Sequence, residues 1–466
     1  MISESGWLQS MNSEQATAFP GGRRAAEQRL SALDPARYAA TRNHLDGAVT
    51  RLSPYIRHGV LTLAEVRNAV FAGLQARGYV TPERQAEGQR IVGKLINELG
   101  WRDYWQRLWL QLGDGIWHDL ESLKTGHPAT SYRSGLPVDV SEARTGLACI
   151  DAFSRQLQEI GWLHNHARMW LASYLVHWRR VRWQAGARWF LQHLLDGDPA
   201  SNNLSWQWVA SSFSSKPYFF NRANLERFSS GRYCSGCPLA ERRGQGGCPF
   251  DASYETLQAQ LFQPLNPRLE APAPPPATRG GPLLAPPSTA GPPPLRPLVW
   301  VHGEALGPAN PALLAHPHAP ALFVFDIELI TGRTAITGGP ATGDDRPVPL
   351  GPGRLRFLRE CLSELPVEVR QGDVAAELLA VASSLGADGI VTSRGVDPRF
   401  AAIASHIAQA LPLRILEPEP FVALPLGGNG APDLRRFSRY WRKVEPLVWQ
   451  SLTEARPIEP VPIEST

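Results

Sequence analysis

The sequence predicts a protein of two domains, a helical domain followed by an α/β domain with a parallel sheet. Before residue 268, apolar residues recur at three- and four-residue spacing, which is typical of helices with one buried face. After residue 297, short β-branched or aromatic runs alternate with helical segments, and this alternation favours a parallel sheet covered by helices. Between the two regions, repeated proline over 268–297 indicates an extended linker.

Each element follows from a local pattern, and helices are expected to end at Gly, Pro or Asp. The first region contains helical segments at 62–78, 84–112 and 141–162. The second region contains strand candidates at 295–303, 321–329, 367–373 and 387–393, and helix candidates at 354–365, 374–386 and 400–411. We therefore predict domains at 1–267 and 298–425, with a helical segment and tail at 426–466.

The composition is that of a folded globular protein. Of 466 residues, 43% are hydrophobic and 19% charged, which excludes disordered, collagen-like and coiled-coil classes. No run reaches the roughly 18 apolar residues of a membrane span, and the first residues lack the pattern of a signal peptide, so we expect a cytoplasmic protein without membrane contact. Residues 1–267 carry 29 Lys and Arg against 23 Asp and Glu, so this region is the better candidate for a polyanionic partner.

Residues 196–208, DGDPASNNLSWQW, concentrate two carboxylates, two side-chain amides and two indoles. One interpretation is a turn whose Asp caps the next helix, with tryptophans filling the core. The upstream segment GWLHNHARMWLASYL favours a site instead, because it places Asn165, Arg168, Met169 and Ala172 on one helical stripe. The density of polar groups beside indoles makes this region the first candidate for chemistry.

Four motifs in order carry a family resemblance. They are RLSPYIRHG at 51–59, ELGWRDYW at 98–105, the run from Thr145 to Trp170 and the DGD block at 196–208. Together they resemble the FAD-binding domain of the DNA photolyase and cryptochrome family over about 200 residues. The resemblance implies an all-α FAD-binding domain at 1–267 and FAD as the cofactor.

The resemblance also implies which residues contact the flavin. Tyr38, Arg51, Leu52 and Ser53 would line its ribityl and phosphate region, and Asn202 would face its reactive nitrogen. The polar contacts would come from Arg102, Arg168, Asp196 and Asp198, with Arg168 and Asp196 as a charge pair beside the isoalloxazine; the alternative for these residues is a structural salt bridge. Val49 and Thr50 stand where the family usually has Thr-Ser, a departure at the phosphate end.

Two tryptophans match members of the family's electron-conducting chain. Trp183 and Trp206 lie 23 residues apart, and oxidisable indoles in series can pass an electron hole outward from a flavin. Packing is the alternative, since indoles dominate hydrophobic cores and 12 of the 15 tryptophans precede residue 210. The sequence assigns no third member.

Five further residues match positions that receive a flipped pyrimidine dimer in UV-damaged DNA. Glu98 and Asn165 would bond to base edges, and Trp101 and Trp208 would offer aromatic faces beside Met169. The eukaryotic (6-4) branch carries histidines where this chain has Asn165 and Met169. Glu98, Asn202, Trp183 and Trp206 are the candidate catalytic residues.

Four of the five cysteines form a second constellation. Cys234 and Cys237 are spaced C-x-x-C, Cys248 follows after ten residues, and Cys149 lies in the earlier motif TGLACID. One bacterial branch of the family is similar in both places and carries a [4Fe-4S] cluster. Zinc uses the same spacing, and a site without metal is the third alternative. Cys361 is expected to be a small core residue.

Residues 298–425 resemble the family's α/β Rossmann-like antenna domain, placed after the FAD-binding domain rather than before it. HGEALG stands where the family usually has Arg-Arg-Asp-Leu-Arg, so the antenna chromophore is unknown. Residues 431–449 resemble the segment that normally leads out of the antenna domain. The resemblance therefore implies a circular permutation cut in the inter-domain linker, where cuts are tolerated.

Three functions remain open from the sequence. The leading one is light-driven repair, in which a carbon–carbon lyase splits a cyclobutane pyrimidine dimer with an electron from reduced FAD. The second is a cryptochrome-like blue-light photoreceptor, and the third is a flavoprotein that binds damaged or single-stranded nucleic acid without turnover. Asn202, Met169 and Trp101 favour repair, whereas the antenna loop and the domain order differ from those usual in the family.

Overall fold

The structure is a computed structural model, and it describes residues 18–79, 81–242, 246–264, 293–332, 347–425 and 430–452. Most of the predicted linker and the C-terminal tail lie outside these ranges. The described residues form a helical domain and a five-stranded α/β domain, and this confirms the predicted fold class. No described helix is both long and apolar enough to cross a lipid bilayer.

The helical domain is built from thirteen α-helices among the described residues. They are α1 (Arg23–Ser31), α2 (Pro35–Thr41), α3 (Ser53–Arg57), α4 (Leu63–Ala76), α5 (Pro82–Leu112), α6 (Val138–Ser141), α7 (Ala148–Ile160), α8 (Asn165–Ser173), α9 (Trp183–His193), α10 (Pro199–Ala210), α11 (Arg222–Ser229), α12 (Pro238–Glu241) and α13 (Tyr254–Leu261). A π-helical turn, Tyr174–Trp178, extends α8.

Local sequence explains where two helices of this domain begin, α4 and the cavity helix α10. At α4, Thr62 and Glu65 form a reciprocal capping box that satisfies two otherwise free backbone N–H groups. At α10, the Asp198 carboxylate accepts from Ser201 N, and Pro199 fits the first helical turn, where no N–H donor is needed. The helix-cap interpretation of the motif thus holds for Asp198, and its role as a flavin contact stays a prediction.

The α/β domain contains five parallel strands in the order β3-β2-β1-β4-β5. They are β1 (Pro297–Val301), β2 (Ala321–Asp326), β3 (Glu368–Gly372), β4 (Gly389–Ser393) and β5 (Leu413–Leu416), and the helices are α14 (Pro311–Ala315), α15 (Ile327–Thr331), α16 (Pro352–Leu362), α17 (Val374–Leu385) and α18 (Pro398–Ala410). The four strand candidates all form strands. The short edge strand β5 was not predicted.

The two domains share a hydrophobic core. Val299 and Val301 on one face of β1 pack in the same cluster as Tyr55 and Leu195 of the helical domain, whereas Leu298 and Trp300 on the other face pack with α17 and α18. Alternate residues of a strand point to opposite faces, so β1 is buried by different partners on each side. The domains predicted at 1–267 and 298–425 therefore do not have separate cores, although every described strand of the sheet comes from residues after 296.

The last helix, α19 (Phe437–Gln450), returns to the helical domain and packs on α5. Tyr440 is fully buried and its hydroxyl donates to Asp103 Oδ2 at 2.5 Å, while Tyr104 donates to the carbonyl of Leu434 at 2.8 Å. The ring of Phe437 stacks on Trp101 with centroids 3.7 Å apart. The chain after the α/β domain therefore completes the wall beside one predicted substrate residue.

Candidate functional site

One cavity of about 330 Å³ in the helical domain collects most of the predicted site residues. It lies between α2, α3, α5, α8 and α10. Its walls include both the predicted flavin contacts and the predicted substrate contacts, namely Tyr38, Ser53, Arg102, Arg168, Asp196, Asp198, Asn202, Trp206, Glu98, Trp101, Asn165 and Met169. The volume is within the usual range of small-molecule sites.

Arg168 and Asp196 form an ion pair at the cavity wall. Arg168 Nη2 lies 2.8 Å from Asp196 Oδ2, and its Nε donates to the carbonyl of Leu163, which fixes the guanidinium. The other carboxylate oxygen, Asp196 Oδ1, is buried and has no hydrogen-bond partner. Because an unsatisfied buried acceptor costs free energy, this oxygen is a natural acceptor for a ligand N–H group.

Asp198 is the most strongly held carboxylate of the site. Its oxygens accept from Gln106 Nε2 at 3.0 Å, and Arg102 and Arg57 lie 3.9 Å away. Burial alone would raise the pKa of Asp198, but Arg102, Arg57 and Ser201 together hold it at about 2. Asp198 is therefore ionised at neutral pH and fixes the start of α10.

The predicted substrate side is more exposed. Asn165 is exposed, and its Nδ2 lies 3.4 Å from Met169 Sδ one helical turn later, so the two side chains lie together. Burial raises the pKa of Glu98, and Arg42 Nε at 3.6 Å opposes this effect. Burial and the neighbouring Glu98 raise the pKa of Tyr38, so its phenol stays protonated and can donate a hydrogen bond.

The two candidate electron carriers lie on neighbouring helices. Trp206 lines the cavity and packs over Gly186, where a Cβ would meet its ring at 2.2 Å. Trp183 begins α9 one turn before Gly186 and is buried outside the cavity. Its indole Nε1 donates to Asp119 Oδ1 at 2.6 Å. Trp206 thus lies at the cavity wall, and Trp183 is buried outside the cavity.

The structure places four predicted side chains away from the cavity lining. Arg51 is exposed, with its guanidinium over the Trp162 ring, and Leu52 is buried in the shared core. Trp208 is 38% exposed and packs beside Tyr218, and the fourth is the buried Trp183. Trp101 does line the cavity, but Phe437 covers one of its faces.

The four cysteines lie in one neighbourhood despite the 85 positions between the first two. Burial raises the pKa of the Cys149 thiol, and the thiols of Cys248, Cys234 and Cys237 raise it further. Within the described ranges, however, no group of three or more His, Cys, Asp or Glu side chains is arranged to hold a metal ion. Cys361 is buried on α16 and accepts from Gly22 N at 3.2 Å, as expected of a core cysteine.

The sequence motifs did not identify two polar residues that bond to predicted site residues. Gln106 lies one helical turn after Arg102 on α5, so the helical period of the ELGWRDYW segment could have identified it. Asp119 lies in a connection far from Trp183 in sequence, and no local pattern pairs the two.

The residues present fit a flavin. An isoalloxazine ring has one ring N–H group and two carbonyl oxygens in a flat apolar body. The cavity offers the free Asp196 Oδ1 as an acceptor, the Arg168 guanidinium as a cation and the indole of Trp206 as an apolar wall. Arg102 and Ser53 lie on the same lining and suit a phosphate-bearing tail.

Comparison with known proteins gives the same assignment for the central part of the chain. Residues 95–232 match the family described as the FAD binding domain of DNA photolyase. The deoxyribodipyrimidine photo-lyase of Streptomyces griseus is 34% identical over 169 residues, which are 35% of this chain and 32% of that protein. The corresponding protein of Escherichia coli is 47% identical over 79 residues, 17% of each chain. The chain thus spans about a third or less of the length of these relatives.

Solved structures are similar over a larger part of the chain, but their TM-scores are low. A bacterial class III photolyase from Agrobacterium tumefaciens has 23% identity and a TM-score of 0.38, covering 56% of this chain and 54% of its own. The Synechocystis cryptochrome has 25% identity and a TM-score of 0.41, covering 54% and 53%.

The matched range includes α8, the DGD turn and α10, the three elements that carry Arg168, Asp196, Asp198 and Trp206. Residues 95–232 of this chain therefore form a domain of the family described as the FAD binding domain of DNA photolyase.

Proposed function

We propose that this protein is a blue-light-driven, FAD-dependent enzyme that splits pyrimidine dimers in DNA. The observation that supports it best is the common cavity, where candidate flavin residues and candidate substrate residues line the same space. An electron donor and its acceptor must lie close together for such chemistry, and separate pockets would argue against it. The proposal also agrees with the photo-lyase relatives.

When bound, reduced FAD would supply one electron on absorbing blue light, and the lesion would return it after the two carbon–carbon bonds between its bases break. The protein's own residues would bind and orient the flavin and the lesion, and they would exclude water. Arg168 and Asp196 would fix the ring, while Arg102, oriented by Asp198, would bind the phosphate-bearing tail. Asn202 donates to the carbonyl of Ala187 at 3.0 Å, which would present its amide at a constant position.

On the substrate side, an extruded dimer would enter between α5 and α8. Glu98 and Asn165 would bond to the base edges, and Met169 would pack against the pyrimidines. Trp101 offers one free face, because Phe437 occupies the other. Trp208, exposed beside Tyr218, would lie against the DNA near the cavity.

The test is light-dependent repair of an oligonucleotide with one thymine dimer. Purified protein with reduced FAD is illuminated with blue light, and restored thymines are measured by chromatography, with a dark sample and a dimer-free strand as controls. Repair above the dark rate supports the proposal. No repair of any dimer, in single or double strands, rejects it.

One observation favours a photoreceptor as the second candidate. The stacked pair of Phe437 and Trp101 covers an aromatic face that a dimer would otherwise use. A photoreceptor has no need of that face. In this case illumination would change the protein's conformation, measured by proteolysis in light and dark, without any repair.

We propose in addition that Cys149, Cys234, Cys237 and Cys248 hold a [4Fe-4S] cluster. Burial raises the pKa of the Cys149, Cys234 and Cys248 thiols, and neighbouring cysteines raise each of them further, so it is costly to gather these groups as thiolates. Cationic iron would offset that cost. Zinc would satisfy the same donors. Cluster formation would require these side chains to close on one centre.

A further inference from the structure

A charged side chain of the α/β domain lies directly behind the flavin-side turn. Arg354, on α16, is 6% exposed, and its Nη1 donates to the carbonyl of Leu191 at 3.4 Å. A Cβ on Gly197 would lie 2.7 Å from the same Nη1. The guanidinium therefore lies against the backbone between Asp196 and Asp198, on the side away from the cavity.

Arg354 is a buried cation without a direct anionic partner among the described residues. Its Nε has no hydrogen-bond partner, and no described carboxylate oxygen lies within 4.0 Å of the guanidinium. Burial and the nearby Arg57 lower the pKa of Arg354 to about 9, while Asp196, Asp198 and Glu304 oppose the decrease. It remains charged at neutral pH. A buried charge held this way is costly and needs compensation.

The acidic groups nearby are already engaged with other arginines. Asp196 pairs with Arg168, and Asp198 lies between Arg102 and Arg57. Arg57 Nη1 lies 2.8 Å from Glu304 Oε1, and its Nε donates to the carbonyl of Gly197 at 3.0 Å. Arg57 thus holds the turn from behind by a hydrogen bond, and Arg354 packs against Gly197 and adds a positive charge that no described neighbour pairs directly.

The docking of the two domains fixes this arrangement. The amide of Gly351, which precedes α16, donates to the carbonyl of Gln192 at 2.8 Å. His58 bridges the carbonyls of Gly303 and Leu195 at 2.8 and 3.0 Å. These contacts flank Arg354 and the turn, so they keep the start of α16 beside the turn.

We propose that Arg354 is a positioning residue for the flavin site, supplied by the α/β domain. It holds the Asp196–Gly197–Asp198 turn and makes the cavity favourable for the negative charge of a diphosphate or a reduced flavin. The proposal builds on the FAD site of the proposed function. Part of the positive electrostatic potential at that site would then come from a domain that contributes no side chain to the cavity lining.

The test compares Arg354→Met with Arg354→Lys and with Arg356→Met, a control on the same helix whose partner is the surface residue Glu360. Two quantities are measured, the dissociation constant of FAD by titration and the one-electron reduction potential of bound flavin. We expect Arg354→Met to weaken FAD binding at least tenfold. We also expect the ratio of reduced to oxidised flavin at a fixed potential to fall about tenfold, which is equivalent to a reduction potential lower by about 59 mV. Arg354→Lys should restore most of the potential, and Arg356→Met should change neither quantity.

The outcomes separate this inference from the proposed function. Wild-type protein that binds no FAD overturns both. Wild-type protein that binds FAD, with an unchanged dissociation constant and potential in Arg354→Met, overturns the inference alone. If Arg354→Met does not fold, Arg354→Lys becomes the deciding variant. Weaker FAD binding with a retained flavin reduction potential supports the role of the charge. A reduction potential that falls to that of flavin free in solution contradicts it.

Discussion

Trp183 donates its indole N–H to Asp119 Oδ1 at 2.6 Å, and both side chains are largely shielded from water. Burial raises the pKa of Asp119, while the hydrogen bonds from Trp183 and Ser212 lower it. An indole that has lost an electron is far more acidic at this N–H group than a neutral indole. Asp119 is thus placed to take the proton of Trp183 if the indole passes its electron to Trp206.

From this pair we predict that Asp119→Asn slows light-driven reduction of oxidised flavin several-fold, because an amide cannot accept the proton. The same rate in the wild-type protein should fall as pH decreases through the raised pKa of Asp119, since the protonated acid no longer accepts. The measurement is flavin bleaching under blue light with an external reductant. Equal rates in wild-type and Asp119→Asn protein would contradict the prediction.

Trp206→Phe should also slow this photoreduction, since phenylalanine lacks an easily oxidised indole. Repair by protein reduced beforehand should stay nearly intact, because that reaction needs no electron from outside. Trp189→Phe is the matched control, for Trp189 is a buried indole on α9 outside the cavity. A loss of repair in pre-reduced Trp206→Phe protein would instead indicate a packing role.

Asn165→Ala should weaken binding of a dimer-containing oligonucleotide by roughly tenfold or more, since a lost hydrogen bond to a base costs about 1–3 kcal/mol. Binding of undamaged DNA, held mainly through phosphates, should stay the same. Fluorescence anisotropy measures both. Asn68→Ala, on α4 away from the cavity lining, should leave both unchanged. Equal losses for damaged and undamaged DNA would place Asn165 outside the lesion site.

Asp198→Asn should lower the free energy of unfolding of the FAD-free protein by about 2 kcal/mol at pH 7. The pKa of Asp198 is held at about 2, below its ordinary value of 3.8, so its contribution is present above pH 3.8 and lost as pH falls towards 2. The difference between variant and wild type should therefore shrink in acid. Urea unfolding across this pH range measures it, with the exposed helix cap Asp34→Asn as control. A difference that does not depend on pH would contradict the charge argument.

Cys149→Ser should remove most of the bound metal, whereas Cys361→Ser should not. Elemental analysis for iron, zinc and acid-labile sulfide distinguishes the proposed cluster from zinc. Iron and sulfide in equal amounts support the cluster, and zinc without sulfide replaces it. Metal content unchanged in Cys149→Ser would show that this cysteine is not a ligand.

Local patterns predicted most of the fold, and the exceptions have physical causes. Helical periodicity and the runs of β-branched residues marked the main elements, but β5 has only four residues and follows Pro412 without clear alternation. The sequence of β1, PLVWV, showed that both faces are buried without showing what covers them. The shared core could not be predicted for this reason.

The site was predicted where its residues lie in contiguous motifs. Arg168, Asp196, Asp198 and Trp206 belong to such motifs, and all four line the cavity. Phe437 stacks on Trp101, and Arg354 packs against the turn at Gly197. Each contact joins residues more than 150 positions apart, so it forms only through the packing of the chain after residue 297. No local spacing contains that information.

The core shared by the helical domain and one face of β1 means that the peptide connection between the domains is not what holds them together. If a protease cuts the chain between residues 268 and 292, both fragments retain the apolar surfaces that bury each other, and α19 on the second fragment still packs on α5 of the first. The protein should therefore behave as a split pair that reassembles from two separately expressed chains. Either fragment alone would expose Val299 and Val301 or Tyr55 and Leu195 to water and aggregate.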